Sequence, residues 1–74
     1  MDRTQFRERM ARADIDLTLL TKLTGYNRKH AIMLGARRPV PRSAVAIVEA
    51  YYLMDGPKRH ELLKAIETGD RGQP

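Results

Sequence analysis

The sequence predicts an all-α fold, a compact five-helix domain built around two short helices and a tight turn. Three observations lead there. Apolar residues recur at three- and four-residue spacing along most of the chain, the period of a helix with one buried face. Turn-forming residues interrupt that pattern at Asp14–Asp16, Gly25, Gly35–Pro41 and Asp55–Pro57, which leaves five segments. No alternating run of β-branched or aromatic residues and no internal repeat is found, so no strand is expected.

Asp2 or Thr4 can cap a first helix running to about Ala13, with Phe6, Met10 and Ala13 on one face. Arg3, Arg7, Arg9 and Arg12 lie elsewhere on it. Arg7 and Arg12 read first as solvated arginines, with a phosphate contact as the second reading for each. Asp14-Ile15-Asp16 is a connector, and Asp16 caps the second helix, Leu17 to Thr24, which buries Leu20 with Leu17 and Leu23. Thr21 is compact enough to let another helix cross closely. The Thr24 hydroxyl can bond the carbonyl four residues back. Gly25 allows the left-handed backbone of a sharp turn, since it has no Cβ to clash.

Asn27 offers a side-chain oxygen to the first N–H groups of the third helix, Asn27 to Leu34. At about 100° per residue, Ala31 and Leu34 point inward while Arg28, Lys29, Ile32 and Met33 point outward. His30 falls on the flank between the two faces. Cations in a first turn oppose the helix dipole, an arrangement tolerated where an anion lies against that end. Tyr26 covers the turn with its ring and leaves its hydroxyl for water or a phosphate.

Gly35 ends this helix, and Pro39 and Pro41 stiffen the loop that carries Arg37 and Arg38. Arg42 or Ser43 opens a fourth helix, Arg42 to Met54, which is apolar nearly all round. Such a helix is central, or has a core on one side and a partner on the other. Asp55-Gly56-Pro57 breaks it. A fifth helix spans Pro57 to Thr68 with a stripe of Leu62, Leu63 and Ile66. Gly69 stops it. The domain is thus 1–69, with 70–74 expected as a disordered tail.

A chain of 74 residues has a small core for its surface, so a monomer is marginal unless it oligomerises. It has no cysteine, and His30 and His60 lack acidic neighbours at ligand spacing, so neither disulfide nor metal site is expected. No segment has membrane-spanning length, and no signal-peptide pattern follows Met1; a cytoplasmic location is expected. The formal charge is +5 and the pI about 10.1. From Leu17 to Val48 the ionised residues are Lys22, Arg28, Lys29, Arg37, Arg38 and Arg42, with no Asp or Glu among them. A segregated basic middle suits a polyanion; an ordinary solvated face is the alternative. An enzyme is not expected. The sequence holds no carboxylate pair, nucleophile–base set, phosphate-cradling glycine loop or metal cluster. No cofactor or small-molecule ligand is implied.

The residues GYNRKHAIML followed by GARRPVP resemble the helix-turn-helix of phage-repressor-like (Cro-type) regulators. Thr21, Gly25, Leu20, Ala31 and Leu34 match its spacing, and GARRPVPRSAVAIVEAY is similar to the link into a fourth helix in small prokaryotic and phage members. The likeness covers Leu17 to about Tyr51. Thr24 stands where an apolar residue is usual, and Leu34 where an aromatic is common. GYNRKHAI is also similar to the N-terminal helix-turn-helix of some transposases.

The resemblance implies that the motif at 17–34 binds double-stranded DNA, with Asn27–Leu34 as recognition helix. Asn27, Arg28, Lys29, Ile32 and Met33 then face bases: cations can donate to guanine O6 and N7, and apolar groups can pack on a thymine methyl. For Ile32 and Met33, core packing or a protein interface is the competing reading. Lys22, Tyr26, His30, Arg37, Arg38, Arg42 and Ser43 then face phosphates. A homodimer on an inverted-repeat operator is implied, with half-sites about 10 base pairs apart. Its contact is expected on helices 42–68 through Tyr51, Tyr52, Leu62, Leu63 and Ile66, unless these are all intramolecular core. The implied function is a transcriptional repressor or autorepressor of a phage or mobile-element operon, such as those controlling anti-CRISPR genes, located at the nucleoid. The alternatives are a protein-interaction module, antitoxin or inhibitor, on the same scaffold, or a DNA-binding piece of a transposase.

Overall fold

The computed structural model describes residues 1–72, with side chains through Gly69. It consists of α1 (Arg3–Arg12), α2 (Leu17–Thr24), α3 (Arg28–Met33), α4 (Arg42–Leu53) and α5 (Gly56–Gly72). No strand occurs among the described residues, and the five-helix all-α expectation holds. α2 is the hub: it packs on α3, α4 and α5, while α1 packs on α4.

Of the two candidate caps for α1, Asp2 takes the role. Its carboxylate accepts the Gln5 N–H at 2.8 Å, and Gln5 Oε1 accepts the Asp2 N–H at 3.2 Å. A cap of this kind contributes about 0.5–2 kcal/mol. Phe6 and Ala13 are buried, and Met10 packs beside them. The connector does more than link. Asp14 turns the chain at φ +57°, which places Ile15 in the core. Aspartate tolerates the left-handed region better than most residues.

Asp16 caps α2 by accepting the Leu19 N–H at 2.7 Å. Leu20 is fully buried, with Leu17, Leu19 and Leu23 packed around the core. Gly25 adopts φ +76°, and its N–H donates to the Thr21 carbonyl at 2.9 Å. Thr24 fits its unusual position by bonding. Its hydroxyl donates to the Leu20 carbonyl at 2.7 Å and accepts the Tyr26 N–H at 3.2 Å. Asn27 then caps α3 through the His30 N–H at 2.7 Å.

Of the two arrangements expected for α4, it has its core on one side. It buries one seam, Ala44, Val48 and Tyr51, at spacings of four and three, and leaves Ala46, Ala50, Tyr52 and Leu53 exposed. Arg59 of α5 closes its C-terminal end. Its Nε donates to the Tyr51 carbonyl at 3.0 Å and Nη2 to the Tyr52 carbonyl at 3.3 Å, with the guanidinium over the Tyr51 ring. α5 begins one residue before Pro57, capped by Asp55 through the Lys58 N–H at 2.9 Å. Its backbone continues through Gly69 to Gly72, so Gly69 is not its end. Of the expected 70–74 tail, residues 73–74 lie outside the described residues.

The core joins Phe6, Ala13, Ile15, Leu20, Ala31, Leu34, Val40, Ala44, Val48 and Tyr51. It thus reaches from α1 to the end of α4 and anchors the inward side of α3. Burying each large apolar side chain contributes about 1.5–3 kcal/mol.

Candidate nucleic-acid interface

α3 is six residues long, too short to hold its shape alone. Tertiary packing holds it: Ala31 and Leu34 are each only 5% exposed. Their opposite side stands in solvent. Arg28, Lys29 and His30 are exposed, as are Ile32 at 36% and Met33 at 46%. The two apolar residues are therefore not core. Asn27 is also exposed, although its side-chain oxygen is engaged in the cap.

Tyr26 is half-buried against the core, and its ring stacks on His30 with centroids 4.2 Å apart and planes 20° from parallel. The stack fixes the first turn of α3 to the preceding turn. The loop after α3 bends back, and the Ala36 N–H donates to the Met33 carbonyl at 3.0 Å. His30, Met33, Leu34 and Gly35 on one side and Arg37, Arg38, Pro39 and Pro41 on the other line one open groove of about 330 Å³. The end of the helix and the arginine loop therefore share a surface feature lined by apolar side chains and two arginines. Arg42 and Ser43 lie exposed at the start of α4, where Pro41 supplies no side-chain cap. Lys22 is exposed on α2. Among the described residues, none of Lys22, Arg28, Lys29, Arg37, Arg38 and Arg42 pairs with a carboxylate.

Arg9 and Arg12 of α1 are spent internally. Glu49 of α4 accepts from Arg9 Nη1 at 2.7 Å and from Arg12 Nη2 at 2.8 and 2.9 Å. The Arg12 guanidinium also lies 3.9 Å from the centroid of the Tyr52 ring. The Arg9 hydrogen bond, with the charges of Arg12 and Arg9, holds the Glu49 carboxyl below its usual range against a smaller opposing effect of desolvation. Arg12 is thus a clasp between α1 and α4, where the sequence suggests a solvated arginine or, second to that, a phosphate contact. The signal was present in the sequence: Arg9 and Arg12 are three apart on one helix face, and Glu49 is the first acid after the basic stretch.

The dimer candidates also need correction. Tyr51 is only 7% exposed and belongs to the core, which removes it from the set; Leu62 is half-buried and packs against that core. Leu63 and Ile66 are half-buried, and Tyr52 is exposed. The sequence set omitted Leu53, which is 80% exposed.

Among the described residues no group of three His, Cys, Asp or Glu side chains could hold a metal ion, and no helix is long and apolar enough to cross a membrane. Compared with protein families, curated proteins and solved structures, the chain finds no match.

Proposed function

We propose that this chain is a sequence-specific double-stranded DNA-binding regulator. It acts as a homodimeric repressor or autorepressor on an inverted-repeat operator of a phage or mobile-element operon, in the cytoplasm at the nucleoid, without catalysis of its own. One observation carries the reading: His30 and Met33 of α3 line the same groove as Arg37 and Arg38 of the following loop, in a stretch without acids. Arg28 and Lys29 supply hydrogen-bond donors for guanine, and Ile32 and Met33 supply apolar contact for a thymine methyl. Arg37, Arg38, Arg42, Ser43, Lys22, His30 and Tyr26 supply sequence-independent contact to phosphates. The dimer contact falls on Tyr52, Leu53, Leu63 and Ile66.

Selection of bound sites from random duplex DNA tests this. A recovered palindrome supports it; a pool without enrichment contradicts it. The exposed Ile32–Met33 pair favours a second reading, a protein-interaction module on the same scaffold. A mobility shift on genomic DNA at moderate salt separates the two, because a pure protein binder gives no saturable shift.

A further inference from the structure

Gly35 and Gly25 make an internal comparison. Both hold left-handed backbone, at φ +80° and +76°. A Cβ added at Gly25 meets nothing within 4 Å, whereas one added at Gly35 falls 2.8 Å from both Cα and N of Arg3 and 3.0 Å from its Cβ. Gly35 therefore lies flat against the backbone of the first turn of α1. Five residues on, the Val40 N–H donates to the Met1 carbonyl at 2.8 Å, and the Val40 side chain is 5% exposed. The same N-terminal segment thus grips the loop at both ends, and Arg37 and Arg38 lie between the grips. That segment is itself pinned by the Asp2–Gln5 capping box. Pro39 and Pro41 remove further backbone freedom beside the second grip.

We infer that Gly35 is a positioning residue for DNA binding, with residues 1–3 as its abutment, so that this clamp sets the placement of the two arginines. Base reading by α3 is set separately, by the Ala31 and Leu34 anchors on the core. The inference rests on the DNA-binding reading for its consequence, though not for its geometry. It separates affinity from sequence preference: loosening the clamp weakens every duplex alike and leaves the preferred sequence unchanged. A tight clamp also shields the Arg37–Arg38 peptide bond; the next bond, before Pro39, resists trypsin in any case.

The test compares Gly35→Ala with Gly25→Ala, which shares the backbone strain but has room for its Cβ. Two readings are taken: the trypsin cleavage rate after Arg37, and the salt dependence of duplex binding. Gly35→Ala should be cut several-fold faster than Gly25→Ala. It should also flatten the slope of log affinity against log salt by up to about 1.8, the share of two phosphates at about 0.9 each. Its preferred sequence should match the parent's. Should Gly35→Ala fail to fold, Asp2→Ala frays the abutment without touching the loop and should shift both readings the same way, by less. Parental cleavage and parental salt slope in the folded variants would overturn the inference. A parent that binds no duplex would instead remove the proposed function, while the cleavage rates still decide the clamp.

Discussion

On α1, Arg9 and Arg12 turn toward Glu49 of α4; around α3, Arg28, Lys29, Arg37, Arg38 and Arg42 meet no carboxylate among the described residues. Each of these cations counts alike in a formal charge of +5. They are not equal physically. The first pair has its Coulomb interaction satisfied within the fold and clamps two helices. The second group keeps its attraction for an outside anion, at the cost of mutual repulsion on a small surface. The difference teaches that position relative to the acids, more than the net charge, decides which cations a protein offers to a partner.

The comparison can be broken most severely through what holds α3. Leu34→Ala removes the anchor opposite the basic face and should destabilise the fold by about 2–5 kcal/mol, read from the denaturant midpoint. Met33→Ala, on the solvent side of the same helix, should leave that midpoint almost unchanged. Equal losses at the two positions would mean that α3 is not oriented as described.

A smaller effect concerns base reading. Arg28→Ala should cost about 1–3 kcal/mol of discrimination at one base position, measured with point-substituted duplexes. Arg12→Ala should leave discrimination untouched and lower thermal stability instead. Arg38→Ala should weaken all duplexes alike and reduce the salt slope by about 0.9.

The smallest effect sharpens the other half of the contrast. The Arg9 and Arg12 guanidinium groups hold the Glu49 carboxyl below the ordinary carboxylate range in the folded state. A lowered folded pKa contributes stability that is present above the unfolded value and lost as pH falls through the folded one. Melting temperature should therefore drop as pH falls from the ordinary carboxylate range through the lowered Glu49 value, and Glu49→Gln should flatten part of that decline. The effect is modest because the pair is partly exposed, with 31% of the Glu49 side chain accessible.

Much of this architecture was legible in the sequence because its signals are local. Caps at Asp2, Asp16 and Asn27, the break at Gly25 and the inward pair Ala31 and Leu34 depend on neighbours within a helical turn or two. The hydroxyl bond from Thr24 to the Leu20 carbonyl was legible for the same reason. What escaped depends on contacts between distant segments. Tyr51 and Tyr52 look alike in sequence, yet one helical step of about 100° puts the first in the core and the second in solvent. The Arg9–Arg12–Glu49 clasp joins residues 37 and 40 positions apart. Gly35 reads as a helix stop on its own; its contact with Arg3 needs the tertiary fold. α5 runs past Gly69 because a glycine within a helix costs only about 1 kcal/mol relative to alanine, too little to act as a stop by itself.

The contrast between the two basic regions is tested most directly by amide chemical shifts during titration with a duplex carrying the selected site. The account predicts saturable changes across Lys22, Tyr26–Met33 and Arg37–Ser43, with Arg9, Arg12 and Glu49 unmoved. Changes centred on the α1–α4 clasp, or an α3 face that stays silent while the duplex binds, would contradict it.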